Sequence, residues 1–433
     1  MDEQLKQFIH KHLTDDIRKL ALTAQPVGVD LRFALQQIDG RQRAKAKLPA
    51  LTANADIIFP VHLSVEQCSS EYTAEYKTRI LRNALSQSNP LTDATLIDLT
   101  GGFGIDFIAL SKLFAKAIYV ERNAELCAIA AQNFQTLCLK NTEIHNQEAE
   151  DFLQSLPKAT KNIVFFADPA RRSASGSRTY AISDCTPDIV KLLPTLQQTG
   201  EMLLLKLSPM LDWHKAFNDI QDCGANVSEV HIVSVKNECK ELLLLIELQN
   251  APQEGIKLFC VNDESITEVT TKPSPHPSPQ GEGVLKIDSS DSNSTSKANL
   301  RKPPLEGKVW RGAAAYLLVP NASIMKAGCW QYITDHFNVV HADANSHLFL
   351  SEQEQKGFPG KQYCIKSICS LNKKELRIAL QGISQANISV RNFPLSADEL
   401  RKRLKLKDGG RTYIFGTTIH GEHKLIITNV VDY

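Results

Sequence analysis

No two of the ten cysteines form a CxxC pair; the closest two are Cys364 and Cys369. That removes zinc-type spacing, so no metal is expected and the thiols read as free ones in a reducing cytoplasm. Long apolar runs are missing as well. Stretches such as Leu242 to Ile246 are strand-sized, whereas a bilayer span needs about 20 apolar residues. The start, Met1-Asp2-Glu3-Gln4, carries no cationic leader and no apolar segment, which points to a soluble cytoplasmic chain without a membrane partner. Neither charge sign dominates, the formal total being +1. That total hides an asymmetry, since from Lys361 onward thirteen Lys and Arg face six Asp and Glu. A basic end on a near-neutral chain suits a polyanion, although solvated basic faces are common.

What is present starts with size. With 433 residues, 42 % of them hydrophobic, two to four domains with real cores are expected. The organising stretch is Leu96-Ile97-Asp98-Leu99-Thr100-Gly101-Gly102-Phe103-Gly104-Ile105-Asp106. It reads as a buried strand, a glycine turn and the first turn of a helix. Gly102 and Gly104 lack the Cβ atoms that would keep a ligand from the backbone, and the helix start offers free N–H groups. A second apolar strand, Ala117 to Val120, ends in Glu121, where a carboxylate suits a ribose hydroxyl pair. A dinucleotide site needs a third glycine, but Asp106 stands there. Asp98 and Asp106 would oppose a pyrophosphate and favour a ligand bearing an ammonium group, such as the methionyl part of S-adenosylmethionine.

Along the chain, residues 1–90 read as helical, from Leu5, Phe8, Ile9 and Leu13 onward. Gly40 and the run Arg41 to Lys47 look like a helix end and a solvated basic segment. Ser69 or Ser70 is placed to cap a helix with Glu71 in its first turn, and that helix leads into the glycine strand and is placed to close over the ligand. Residues 91–250 alternate strands and helices, the pattern of a doubly wound sheet, with a closing strand pair around Lys236 to Lys240. Residues 251–355 read as a small α+β module. It is interrupted at 270–304 by a Pro-rich and Ser-rich tract that cannot bury apolar surface and is expected to be disordered. Residues 356–433 read as a basic module of alternating strands and helices.

The chemistry is expected at the strand tips. Asp168-Pro169-Ala170-Arg171 follows the fourth strand, Asn162 to Ala167, and so faces the glycine turn. Proline stiffens a turn whose polar group can accept from an amino or ring N–H. Arg171 and Arg172 suit a substrate phosphate or an ion-paired loop. Cys185 and Cys239 are the candidates for a thiol nucleophile, each more simply read as a small buried residue.

These motifs resemble those of class I S-adenosylmethionine-dependent methyltransferases. Asn387-Ile388-Ser389-Val390-Arg391-Asn392-Phe393-Pro394-Leu395, with Leu404 to Gly410, resembles the C-terminal module of the bacterial methyltransferases that carry a THUMP-like domain. The resemblance implies a Rossmann-like α/β sheet, a helical N-terminal region, and two small α+β C-terminal modules, the first ferredoxin-like. It implies that Asp98, Gly102 and Gly104 hold the methionyl end, that Glu121 holds the ribose, and that Glu148 and Ala149 flank the adenine. Thr100, Asp106 and Arg122 complete the cofactor set, and Gln67, Ser69 and Ser70 would cap it. Asp168, with Pro169 and Arg171, would face the substrate, an RNA such as tRNA or rRNA held by Arg172, Arg391, Arg401, Lys402 and Lys405. Where amino-directed relatives place a second proline and an aromatic residue, this chain has Ala170 and Arg171. Methylation of a protein or small molecule, or cofactor binding without turnover, are the alternatives.

Overall fold

Strands buried on both faces build the first half of the molecule. In the computed structural model, which describes residues 1–22, 28–88, 94–157, 162–171, 182–253, 255–271 and 315–431, β1 (Thr95–Asp98), β2 (Lys116–Val120), β3 (Thr142–His145) and β4 (Ile163–Ala167) come first. Beyond β4 lie the short pair β5 (Ala170–Arg171) and β6 (Cys185–Thr186), then β7 (Met202–Leu207), β8 (Asn226–Val235) and β9 (Glu238–Glu247). Every residue of β4 and β7 is buried, as expected of parallel strands covered by helices. The order β3-β2-β1-β4-β7 is parallel throughout, and β9 joins it antiparallel to β7. This is an α/β sheet of the Rossmann-like kind. Its order reverses between β1 and β4, which opens a crevice at their carboxyl ends.

The chain divides into two compact units, Met1–Val230 with Glu241–Gln253, and His231–Lys240 with Glu254–Tyr433. In the first unit, the amino-terminal helices gather Leu5, Ile9, Leu20, Val29, Ala34 and Ile38 into one core. One expectation fails here. Gly40 does not end a helix; the helix Leu31–Ala44 runs through it. A Cβ on Gly40 would collide with Phe59, so the glycine serves close packing rather than termination. Nor is Arg41 solvated. Its buried guanidinium donates to the carbonyls of Thr52, Asn54, Ala55 and Ile57 at 2.8–3.1 Å. Arg43 pairs with Asp39 and Glu66, so the basic run is largely spent on its own unit.

The hairpin between β8 and β9 turns on Lys236 and Asn237, both at positive φ, the two-residue geometry that matches strand twist. The strands thus reach closer to the turn than the sequence indicates.

In the second unit, β10 (Ile256–Asn262) and β11 (Ser265–Thr271) form an antiparallel hairpin. Thr270 and Thr271 therefore belong to a strand, and the rest of the expected 270–304 insertion lies outside the described residues. β12 (Tyr316–Pro320), β13 (Val340–His341), β14 (Phe349–Ser351), β15 (Gly360–Cys369), β16 (Asn387–Arg391), β17 (Thr412–Ile419) and β18 (Glu422–Val430) form one sheet, in the order β13-β14-β12-β15-β18-β17-β16. The helix Ala397–Leu404, closed at its start by a Ser396/Glu399 capping box, links β16 to its parallel neighbour β17. It buries Leu400 and Leu404 and leaves its basic face outward.

Candidate functional site

The glycine turn is fixed from both sides. Gly102 and Gly104 have φ of +55° and +83°, the left-handed region that disfavours a side chain. A Cβ on Gly101 would strike the Tyr119 ring, and the Tyr119 hydroxyl donates to the Gly102 carbonyl at 2.5 Å. Glu121 ties the tip of β2 to this turn, because its carboxylate accepts from Gly102 N at 2.9 Å and from Asn123 N at 2.8 Å. The third tip joins through Thr100, whose Oγ1 accepts from Asp168 N at 2.6 Å. The ends of β1, β2 and β4 are thereby one hydrogen-bonded platform.

Asp98 lies at the centre of that platform, 1 % exposed. One carboxylate oxygen accepts from Thr100 N at 2.9 Å. Among the described residues no Lys, Arg or His forms an ion pair with it. Burial, opposed by the Thr100 N–H and reinforced by Asp106, Asp168 and Glu121, pushes its pKa well above the usual carboxylate range. A buried carboxylate lacking a cation is costly, and a cationic ligand at this position relieves the cost.

Around Asp106 and Asp168 is an ionic network that no local sequence signal reveals as a whole. Lys77, fully buried in the helix Glu71–Ser88, reaches Glu241 at 2.5 Å and Asp106 at 3.1 Å. The Ser69 hydroxyl sits 2.7 Å from Asp106 and 3.1 Å from Glu241, and accepts from Lys77 at 3.2 Å. Lys206, in the otherwise aliphatic β7, lies 2.5 Å from Asp168 and 3.8 Å from Asp106. Among the described residues, Asp98, Asp106, Asp168 and Glu241 thus stand against only Lys77 and Lys206. Burial raises the Asp168 pKa, and Lys206 pulls it part of the way back. For Glu241 burial pulls upward, but Lys77 and Lys206 overcome it and hold the carboxyl down at about 2. Lys206 loses to burial and gains more from Asp168, Asp106 and Glu241, so its ammonium is held above the ordinary lysine range.

The remaining expected residues fall as follows. Ser70 caps the helix Glu71–Ser88 by accepting from Thr73 N. Glu71 instead caps a neighbouring helix, accepting from Ala50 N and Leu51 N. Gln67 is exposed at a helix end. Glu148 and Ala149 start the helix after β3, and Arg122 lies 4.0 Å from Glu148, both exposed. Pro169 is buried. Arg171 pairs through its backbone with Cys185; its side chain and all of Arg172 lie outside the described residues. Cys185 is buried in β6, and Cys239 belongs to the second unit.

In the second unit, Arg391 lines a cavity of about 430 Å³ with Tyr363, Tyr413, Asn321 and Lys361. Its guanidinium is 3.3 Å from the His347 carbonyl, and burial lowers its pKa. Arg401 is paired with Asp398 and Asp408, whereas Lys402 and Lys405 are exposed.

Comparison with known proteins agrees with this architecture. Residues 316–359 match a ferredoxin-like domain and residues 360–429 match a THUMP domain-like family. A solved candidate methyltransferase from Porphyromonas gingivalis W83 is 27 % identical, with a TM-score of 0.76 and full coverage of both chains. A candidate methyltransferase from Escherichia coli (16 % identity, 39 % of this chain and 83 % of that one) reaches only 0.27. A candidate tRNA (m1A22) methyltransferase from Streptococcus pneumoniae (17 %, 40 % and 70 %) reaches 0.29. Superpositions that loose carry no weight. No curated protein matches the chain. The chain therefore has a class I methyltransferase fold with a C-terminal THUMP-like domain.

Proposed function

We propose that this protein is an S-adenosylmethionine-dependent methyltransferase acting on RNA in the cytoplasm. The observation that carries the reading is Asp98, a buried carboxylate with no cationic partner among the described residues, beside a turn opened by Gly102 and Gly104. When bound, S-adenosylmethionine supplies an activated methyl group on a sulfonium, together with the ammonium such a carboxylate attracts. Asp98, Thr100, Gly102, Gly104 and Asp106 would hold its methionyl end, Glu121 and Arg122 its ribose, and Glu148 and Ala149 its adenine, with Gln67, Ser69 and Ser70 over it.

The chain's own contribution is placement. Thr100 accepts from the Asp168 backbone, so the turn opposite the glycines has one position. Asp168, stiffened by Pro169, would then present a polar group to the substrate with Arg171 next to it in sequence, and positioning of this kind supplies much of the barrier reduction for an in-line transfer. The THUMP-like domain and its exposed Lys402 and Lys405 support RNA as the substrate class, with Arg172, Arg391 and Arg401 in the same role. Ten cysteines with no CxxC pair suit a reducing compartment.

Calorimetry with S-adenosylhomocysteine tests the cofactor half. One site per chain is expected, weakened about 10-fold or more in Asp98→Ala, the scale of a lost contact to a charged group. Absence of binding to the unaltered protein rejects the reading. Transfer of a labelled methyl group into total RNA, and not into protein, tests the RNA half.

A further inference from the structure

Lys206 is out of character with its strand. It lies in β7 between Leu205 and Leu207, and is 7 % exposed in a strand otherwise made of Met and Leu. Taking an ammonium out of water there costs several kcal/mol before it is paired. Its partner, Asp168, is the one carboxylate of the network whose side chain keeps substantial exposure, 36 %. Asp168 gives one oxygen to Lys206, while the other accepts no hydrogen bond from the described residues. An ammonium and a half-free carboxylate therefore stand together at the tip that faces the glycine turn.

We propose, on the footing of the methyltransferase reading above, that the atom methylated is a hydroxyl oxygen, the ribose 2′-OH of an RNA nucleotide, with Lys206 positioning that oxygen and Asp168 taking its proton. The chemistry of the two nucleophile classes decides this. A ring nitrogen attacks with a free lone pair and needs no proton removed first, so a half-free carboxylate held by an ammonium gives it no advantage. A hydroxyl oxygen becomes more negative as its proton leaves, so the same ammonium favours it. In RNA the hydroxyl present on every nucleotide is the 2′-OH. The turn itself agrees, since Asp168-Pro169-Ala170-Arg171 supplies no aromatic ring to stack on a base.

The step balances within the site. The hydroxyl oxygen forms the new bond to the methyl carbon, the donor's carbon–sulfur bond breaks with its electron pair left on sulfur, and the hydroxyl proton passes to the free oxygen of Asp168 and then to water. Asp106, Glu241 and Asp98 face this pair, and Lys77 offsets Glu241 and Asp106 from behind. Glu241 is a positioning residue that helps keep Lys206 charged, and Lys77 holds Glu241 and Asp106 in place.

The test incubates the full-length protein and methyl-labelled S-adenosylmethionine with total RNA from cells lacking the protein, followed by nucleoside mass spectrometry. A ribose-methylated nucleoside is expected, with the label in alkali-resistant dinucleotides because the blocked oxygen cannot attack its phosphate. Lys206→Met and Asp168→Asn should each slow transfer about 100-fold, the scale of a lost proton-transfer arrangement, while both variants keep S-adenosylhomocysteine binding close to that of the unaltered protein. A readout free of turnover accompanies these. Carbon-13 NMR titration of the Asp168 carboxyl without cofactor should show its pKa rising in Lys206→Met. A base-methylated nucleoside, label confined to protein, or Lys206→Met at full rate overturns the hydroxyl assignment and leaves the methyltransferase reading standing. Absence of S-adenosylhomocysteine binding to the unaltered protein overturns both.

Discussion

The two units treat charge in opposite ways. In the first, Lys77, Lys206, Asp98, Asp106 and Glu241 are withdrawn from water, and their placement is fixed by folding. In the second, Lys402 and Lys405 stay in solvent and Arg401 is offset by Asp398 and Asp408. Buried charges must be paired or they cost several kcal/mol each, so the first unit holds a defined chemistry in one geometry. Exposed charges contribute little singly and are screened by salt. They suit a surface that binds a polyanion by the sum of many contacts. On the proposed function, the first unit would carry the reaction and the second would hold the polyanion.

The contrast breaks most directly at Lys77. Lys77→Met leaves Glu241 and Asp106 buried without their shared cation, and a loss of about 3–5 kcal/mol in unfolding free energy is expected. Lys402→Met, at the surface, should stay within about 0.5 kcal/mol. Equal effects in denaturant titrations would erase the distinction between the units. Adding Glu241→Gln to Lys77→Met should recover part of the loss, because neighbouring sites are not additive.

Acid probes the same network more gently. Glu241 titrates at about 2 in the folded protein, against roughly 4.3 in an unfolded chain. A depressed folded pKa gives stability that is present above the unfolded value and lost as pH falls toward the folded one. Roughly 3 kcal/mol should therefore disappear between about pH 5 and pH 2. Asp98 and Asp168 act in the opposite sense, since their raised folded values relieve a cost on acidification. The unaltered protein minus Glu241→Gln isolates the first contribution. A pH-independent difference between them would show that Lys77 and Lys206 do not hold Glu241 ionised.

Much of the first unit was legible because its signals are local. The glycine turn, Glu121 at the tip of β2 and Asp168 after β4 lie in short stretches whose apolar run and turn chemistry agree. The ionic network was not legible, since residues 77, 106, 168, 206 and 241 meet only once five elements have packed. A signal did exist. Lys206 interrupts an aliphatic strand and Glu241 precedes four leucines, and a lone charge in a buried strand asks for a partner. Gly40 misled for the converse reason. Its absent side chain accommodates Phe59, a contact across sequence that a local rule reads as a helix end. By composition the basic run after it reads as solvated, whereas four backbone carbonyls decide where Arg41 goes.

The smallest expected effect sharpens the comparison from the side of the second unit. If Lys402 and Lys405 each neutralise one RNA phosphate, removing one should lower the slope of log affinity against log salt by about 0.7–0.9. The cost in affinity should be about 1 kcal/mol or less at moderate salt. Arg401→Ala should change the slope less, because Asp398 and Asp408 already offset that charge and are released when it goes. Binding of the full chain to total RNA, measured across a salt series for the three variants, gives the ordering directly. A slope unmoved by Lys402→Ala and Lys405→Ala, with Arg401→Ala the largest of the three, would place the RNA contact on the ion-paired face of the helix and require Asp398 and Asp408 to move aside on binding.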